Sequence, residues 1–236
     1  MMGASLATLS FLGLVLIFLR AVYPLQRNRA TVSRELVLNA LMTVVVLSEV
    51  YLLQVFFPWA LPSSGEFRLL YFLMALLGLD LLSYAWHWLN HRLPLLWRFH
   101  KFHHRAKDLD ALMAYRFHPV EVFLGFQIRS VVVLVLGFNA EELALFLHIY
   151  SASNLIQHSG VRFPYRVEKV LSKIIITPRV HTVHHSVVIT NQLSNFGTIF
   201  SFWDRIFGSF VWDEKTETMP IGLKSNLDFP TEEQTP

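Results

Sequence analysis

The chain has 236 residues, of which 53% are hydrophobic and 16% are charged, and its mean hydropathy is +0.43. A soluble domain carries about 25% charged residues, so this composition favours a protein with much of its surface in lipid. The net charge of +3 is not arranged as a basic stripe, which argues against nucleic acid as a partner, and the absence of cysteine excludes disulfides, thiolate metal sites and cysteine nucleophiles.

Two apolar runs near the N-terminus predict membrane helices. Residues 5–19 form an uncharged run that ends at Arg20, without the basic start and small-residue cleavage site of a signal peptide. Residues 36–57 are long enough to span a hydrocarbon core of about 30 Å. Glu49 lies inside this second run, so it needs a polar partner or a position near the interface.

The next elements alternate between apolar and polar segments. A loop at 58–68 contains the Pro, Ser and Gly of a turn, and a third apolar run follows at 69–86. A polar, histidine-rich segment occupies 87–118. Residues 120–137 and 140–158 then predict two helices joined by a tight GFNA turn. This helical hairpin need not cross the bilayer completely.

The basic residues predict the topology. Four of the twenty lysines and arginines lie in the link after the first run, one lies in the 58–68 loop, six lie in 87–118 and eight follow residue 158. The positive-inside bias therefore directs the histidine-rich segments and the C-terminus to the cytoplasm. We predict an all-α integral membrane bundle of about four membrane helices with a cytoplasmic, histidine-rich helical cap, followed by a disordered polar tail at 225–236.

Five histidines lie in the stretch HWLNHRLPLLWRFHKFHH at 87–104. The first two are four residues apart and share one helix face, and Pro94 suits the first turn of a second helix. The other three follow at i, i+3 and i+4 of that helix. The stretch thus predicts two imidazole-bearing helix faces formed by His87, His91, His100, His103 and His104.

A second histidine cluster repeats this design in the stretch TPRVHTVHH. Thr177 is predicted to cap a helix that Pro178 begins. The opening turns of that helix then carry His181, His184 and His185.

These eight imidazoles predict a metal site. Without a metal they would repel one another when protonated and leave donors and acceptors unused when neutral. The alternative is a solvated or pH-responsive histidine face. A nitrogen-only ligand set suits zinc, iron, copper or nickel rather than magnesium or calcium. At four or five ligands per ion, eight or nine histidines imply two ions.

The chain resembles the fatty acid hydroxylase superfamily, the membrane di-iron group that includes sterol desaturases and lipid hydroxylases. HWLNH, HKFHH and HTVHH match its three histidine boxes in order, and RFHPVE, NLIQHSGVRFP, ITPRVHTVHHS and FWDRIFGSF resemble its bacterial sterol-desaturase-like branch. The resemblance covers about residues 69–210. It implies a catalytic domain at 69–215, between N-terminal membrane helices and a loop at 1–68 and a polar tail at 216–236.

The resemblance also implies the metal ligands, residue by residue. They are the eight box histidines and one from an intervening helix: His87, His91, His100, His103, His104, His158, His181, His184 and His185. Some relatives carry another histidine where this chain has Asn154, whose amide oxygen could ligate weakly or hold a water. His118 is either a tenth ligand or an outer partner of one. His148 is expected to be a hydrogen-bonded helix residue, with metal ligation as the alternative.

Three other polar residues are candidates for supporting roles. Asp80 lies seven residues before His87 on nearly the same helix face, so it could accept an N–H from a ligating imidazole. Asp204 could act similarly or could cap a helix end. Arg129 could pair with Glu49 or Glu121, or meet a lipid headgroup.

By resemblance, the protein is a membrane oxygenase that uses two iron ions, dioxygen and external electrons to hydroxylate or desaturate a sterol, fatty acyl or related lipid. Because no haem-binding or flavin motif is visible in the sequence, a small haem protein or a ferredoxin with its reductase is the expected electron donor. The bacterial branch favours a bacterial inner membrane over the endoplasmic reticulum. A membrane zinc hydrolase acting on lipids and a non-catalytic metal-binding membrane protein are the alternatives.

Overall fold

The structure, a computed structural model, describes residues 2–26, 32–56 and 68–224. Within these ranges the regular secondary structure is helical, with three isolated β-bridges. The α helices are α1 (Met2–Val22), α2 (Val32–Phe56), α3 (Leu69–Arg92), α4 (Pro94–His104), α5 (Pro119–Leu136), α6 (Ala140–His158), α7 (Tyr165–Leu171), α8 (Pro178–His184), α9 (Ile189–Gln192) and α10 (Phe202–Ile206), with 3₁₀ turns at Ala111–Tyr115 and Thr216–Thr218.

Some sequence predictions fall on other residues. The predicted loop, apart from Arg68, and the predicted tail at 225–236 lie outside the described residues, as do the side chains of Glu49 and Arg34. The domain boundaries at 68/69 and 215/216 stay predictions.

Among the described residues, α3 and α5 are the two helices long and apolar enough to cross a membrane by length and composition. The two preceding helices contain shorter apolar segments, Thr8–Val22 and Leu36–Ser48. The all-helical class is confirmed, and the count of about four spans stays a prediction. The outer faces of α3 and α5 carry exposed apolar side chains such as Leu70 and Val135, as expected of surfaces in contact with lipid.

Local capping chemistry sets the helix boundaries near the histidines. Gly137 ends α5 in the left-handed conformation, with φ of 64°, which a residue without Cβ adopts at little cost. Asn139 and Glu142 form a reciprocal capping box at the start of α6. Thr177 accepts a hydrogen bond from the Val180 N–H and begins α8, as predicted.

A hydrophobic core joins the long helices to a segment that follows α9. Phe72 and Leu79 of α3 cluster with Val133 of α5 and Phe146 of α6, and Ile199 from a downstream loop joins them. This loop therefore reaches the middle of α3. A second cluster packs α1 against α6 and the first 3₁₀ turn.

Candidate metal centre

Nine histidine side chains converge in two groups, each with ligand atoms within 4.8 Å of one another. Eight are buried, and His87 is half-buried. The five-histidine group contains His87, His91, His100, His104 and His184, and the four-histidine group contains His103, His158, His181 and His185. These are the nine histidines singled out from the sequence, brought together by α3, α4, α6 and the α8 segment.

Each pair of adjacent histidines is divided between the two groups. His103 belongs to the four-histidine group and His104 to the five-histidine group, whereas His184 and His185 are divided in the opposite order. Successive helical residues point about 100° apart, so neighbouring imidazoles reach in different directions. Both groups are therefore tied to the same two backbone segments.

The ring nitrogens within the groups are as close as two ligands on one ion. The Nε2 atom of His158 lies 3.1 Å from Nε2 of His103 and 2.9 Å from Nε2 of His181. In the other group, Nε2 of His104 lies 3.2 Å from Nε2 of His100. Two imidazole nitrogens bound to one ion at about 2.1 Å are separated by roughly 3 Å.

Several ring nitrogens of the two groups lack a hydrogen-bond partner although they are buried. They include Nε2 of His87, Nε2 of His184 and both ring nitrogens of His91. Leaving such atoms unpaired is costly unless something binds them. The orphaned nitrogens and the absence of carboxylate donors from both groups fit an ion that prefers imidazole, such as iron or zinc.

On the opposite side of the rings, backbone carbonyls accept from four Nδ1 atoms. An N–H at Nδ1 leaves the Nε2 lone pair available for a metal. The Nδ1–oxygen distances are 2.9 Å for His87 to Phe196, 3.3 Å for His103 to Arg116, 2.8 Å for His158 to Asn154 and 2.7 Å for His184 to Ser194.

His100 has a different partner, because its Nδ1 lies 2.7 Å from the carboxylate oxygen Oε1 of Glu121. Asn90 donates to the same oxygen at 3.3 Å, and both residues are buried. The sequence suggests Glu121 only as a partner of Arg129, whose guanidinium instead lies over the Tyr150 ring at 5.5 Å. The available sequence signal was its place in the first turn of α5, three residues after His118.

A loop at 194–200 supplies two of the carbonyls described above. Its N–H groups point away from the imidazoles, and Asp204 accepts from the N–H groups of Phe196 at 2.7 Å and Gly197 at 2.9 Å. Asn195 has a φ of 56° and bonds through its side chain to Val180 and Val211. These anchors turn the carbonyl groups of Ser194 and Phe196 toward the histidines.

Asp80 anchors the far end of the same loop, which corrects our expectation that it would contact an imidazole. Its oxygens accept from the N–H groups of Ile199 at 2.9 Å and Phe200 at 3.1 Å, and from Nε1 of Trp203 at 3.0 Å. The loop contacts α3 at Asp80, and the three donors occupy both carboxylate oxygens. Asp80 and Asp204 therefore act on the histidines through the loop backbone.

Each of three more open candidates makes a hydrogen bond within its own helix or helix cap. Nδ1 of His118 accepts the Val120 N–H at 3.2 Å, so this residue caps α5. Nδ1 of His148 donates to the Ala144 carbonyl at 2.6 Å, as the hydrogen-bonded reading predicts. The Asn154 amide donates to the Tyr150 carbonyl at 2.9 Å, so its nitrogen is engaged along α6.

Burial favours the neutral form, which a metal requires, in at least five of these imidazoles. Loss of solvation lowers the pKa of His184 to about 3. It also lowers the pKa values of His103, His104, His181 and His185 well below the ordinary value, and neighbouring imidazoles add to the effect. At neutral pH these five rings are therefore ready to coordinate without first losing a proton.

Comparison with known proteins identifies a family that covers the histidine site. The model of the fatty acid hydroxylase family matches residues 72–209, which is more than half of the chain and includes all nine grouped histidines. No solved structure gives a significant match.

Several curated proteins are similar over the same region. The ornithine lipid hydroxylase OlsE of Rhizobium tropici is 29% identical over 61% of this chain and 43% of its own length. Cholesterol 25-hydroxylase of Homo sapiens is 30% identical over 64% of this chain and 56% of its own length. Alkylglycerol monooxygenase of Homo sapiens is 24% identical over 63% of this chain and 32% of its own length. The chain thus spans about half the length of the curated relatives it matches, or less.

Proposed function

Because this chain belongs to the fatty acid hydroxylase family, we propose that it is a membrane-bound di-iron oxygenase that inserts oxygen into a lipid. The observation that carries the proposal is the convergence of nine imidazoles into groups of five and four, beside helices long enough to cross a membrane. A lipid substrate reaches such a site from the bilayer, while the buried histidines keep the metals away from bulk water.

The ligands of the proposed ions are the two histidine groups. The five-histidine group would hold one iron and the four-histidine group the other. Bound iron supplies the reduction of dioxygen and the attack on an unactivated C–H bond. The chain's own contribution is orientation, since the carbonyls of Phe196, Ser194, Arg116 and Asn154 and the carboxylate of Glu121 hold the rings with Nε2 inward.

Hydroxylation is the favoured outcome. The relatives compared above are named hydroxylases or monooxygenases, and their names specify ornithine lipid, cholesterol and alkylglycerol. We infer a reaction in which a C–H bond of the lipid becomes C–OH and the second oxygen atom leaves as water. Its balance needs two electrons and two protons from outside, so a ferredoxin or small haem protein with its reductase is the partner we propose.

The orientation in the membrane follows from the basic residues. We infer a multi-pass protein whose α1 and α2 join α3 and α5 in the bilayer, with the histidine groups at the cytoplasmic face, in a bacterial inner membrane. The segments 87–118 and 159–224 support this orientation, because they carry six and eight basic residues.

The test combines metal analysis with an isotope experiment. Detergent-purified protein from iron-57 medium should contain about two irons per chain with a coupled diferric Mössbauer signal. Supplied with reductant, a ferredoxin and membrane lipids under ¹⁸O₂, it should yield a lipid heavier by one ¹⁸O atom. Two zinc ions that iron cannot replace, or a hydroxyl oxygen derived from water, would instead support the hydrolase alternative.

A further inference from the structure

Helix α7 has the reverse of the side-chain arrangement expected of a water-facing helix, because its buried side carries a charged residue and its outward side is apolar. Its buried side carries Glu168, which accepts from the Arg179 backbone N–H at 2.7 Å and lies 3.3 Å from its Nε atom. Its outward side carries Val167, Val170 and Leu171, which are 50%, 62% and 43% exposed. An apolar face directed outward from a polar anchor is typical of a surface that something apolar covers.

Basic side chains rim this face. Arg166 and Lys173 are exposed around it, whereas Nζ of Lys169 lies 3.6 Å from Oε1 of Glu214 and is already paired. Ile174 extends the apolar surface with 60% exposure. Apolar residues flanked by lysine and arginine are the pattern of helices that lie in a membrane interface. The charges suit anionic lipid headgroups, which attract basic residues at the membrane surface.

The same surface continues onto α10 and reaches α3. The Ser201 N–H donates to the Ile174 carbonyl at 2.9 Å, so the end of the α7 segment adjoins the start of α10. Ile206 and Phe207 are 64% and 57% exposed there, and the Phe207 ring stacks on that of Tyr84 in α3 at 5.2 Å. The outward apolar surface is thus continuous with a candidate membrane helix.

The contacts of Asp80 indicate where this region lies along the axis of α3. Asp80 lies seven residues before His87, which is about 10 Å along the α3 axis. Because Asp80 holds the Ile199 and Phe200 N–H groups, the segment packed on Ile174 lies at the level of the apolar part of α3 rather than above it.

We propose that the outward face of α7, continued by Ile174, Ile206 and Phe207, is a second membrane-contact surface of the cap. It lies in the headgroup and upper acyl layers and takes anionic phospholipid against Arg166 and Lys173. This inference rests on α3 crossing the bilayer and not on the oxygenase activity. It gives the segments that follow α6 a lipid contact in addition to that of the spanning helices.

Single-cysteine spin labelling tests the proposal, since the chain contains no native cysteine. Val170→Cys and Ile174→Cys are labelled with a nitroxide in vesicles of equal parts phosphatidylcholine and phosphatidylglycerol. Collision with oxygen, which concentrates in lipid, is compared with collision with a water-soluble nickel chelate. Val135→Cys in α5, where Val135 is 80% exposed, is the lipid control, and Lys215→Cys is the water control.

Labels at 170 and 174 should show the oxygen preference of the Val135 label. Labels that favour the nickel chelate, as at Lys215, would overturn the proposal, and so would labels shielded from both reagents, which would indicate a second copy or another protein. Replacing phosphatidylglycerol with phosphatidylcholine should move the Val170 label toward water. Arg166→Gln with Lys173→Gln should abolish that dependence, and an unchanged label in both experiments would remove the anionic lipid from the proposal.

Discussion

Oε1 of Glu121 lies 2.7 Å from Nδ1 of His100, whereas the Nδ1 atoms of four other grouped histidines contact backbone carbonyls. A carboxylate partner raises the basicity of an imidazole and strengthens its bond to a metal. The five-histidine group therefore contains one donor that the four-histidine group does not match. Two ions bound here would differ in their electronic surroundings as well as in ligand number.

We predict that Glu121→Gln weakens metal binding at the five-histidine group by about 10–100-fold while the helices stay folded. The amide oxygen still accepts from His100, but the negative charge is lost. Mössbauer spectra should change for one of the two irons. Glu141→Gln, at an exposed position in α6, is the matched control, and identical spectra for both variants would refute the role of Glu121.

His184→Ala and His103→Ala, one from each group, should each remove bound metal and all turnover together, because both residues are buried and the ligand atoms of each group lie within 4.8 Å of one another. His118→Ala is the control, since His118 caps α5; it should cost about 1 kcal/mol of stability and retain metal. Elemental analysis after gel filtration measures the result. Two metals and full turnover in either His184→Ala or His103→Ala would refute the assignment of that histidine as a ligand.

Gly197→Ala should displace the loop at 194–200. A Cβ atom there would lie 2.6 Å from the Phe200 carbonyl and 2.8 Å from Oδ2 of Asp204, both closer than real contacts allow. The carbonyls that orient His87 and His184 should shift, so metal loss should be confined to the five-histidine group. Gly78→Ala, where a Cβ meets nothing within 4 Å, should retain both metals. Equal metal content in the two variants would argue against a role for the loop.

Asp204 should make stability depend on pH in a particular direction. Burial raises its pKa to about 6, above the ordinary value of 3.8, so the folded state holds a proton more tightly than the unfolded state. Its contribution to stability is then fully present below pH 4 and is lost as pH rises to 6.

The measurement compares the thermal midpoints of the wild type and Asp204→Asn between pH 4 and pH 7. Subtracting one curve from the other removes the titration of other groups. The wild type should lose stability relative to the variant as pH rises through this window. A difference that is constant with pH would show that the carboxyl group titrates normally.

Asn154→His should be tolerated, because Asn154 lies one helical turn before His158 and thus on the same side of α6. The variant should fold and retain its metals, with a changed spectrum where a further imidazole approaches the four-histidine group. A folded variant with unchanged metal content and an unchanged spectrum would show that this side chain does not face the metals.

Helix spacing and capping predicted much of this site, because both are local. Pro94 and Pro178 begin α4 and α8 where expected, and the histidines of each lie on neighbouring faces. Spacing did not indicate that His103 and His104 separate into different groups, since this depends on which helices pack on either side. The role of Glu121 was missed for the same reason, because its contact with His100 is made between two helices.

The loop at 194–200 was also beyond sequence reasoning. Its carbonyls are directed at the histidines by an unusual backbone conformation at Asn195. Its anchors Asp80 and Asp204 are 124 residues apart in the chain. Asp80 could be assigned to the correct helix face, but the partner on that face belongs to a tertiary contact. Backbone groups of this kind leave no residue-type signature.

The division of both adjacent histidine pairs has a consequence for biosynthesis. Each group needs side chains from α4 and from the α8 segment, so neither is complete until the ribosome has passed His185. By then the α5–α6 hairpin between them has been synthesised. Metal loading of either group must therefore wait until the α8 segment has been synthesised, and a nascent chain that stalls before α8 contains only incomplete histidine sets.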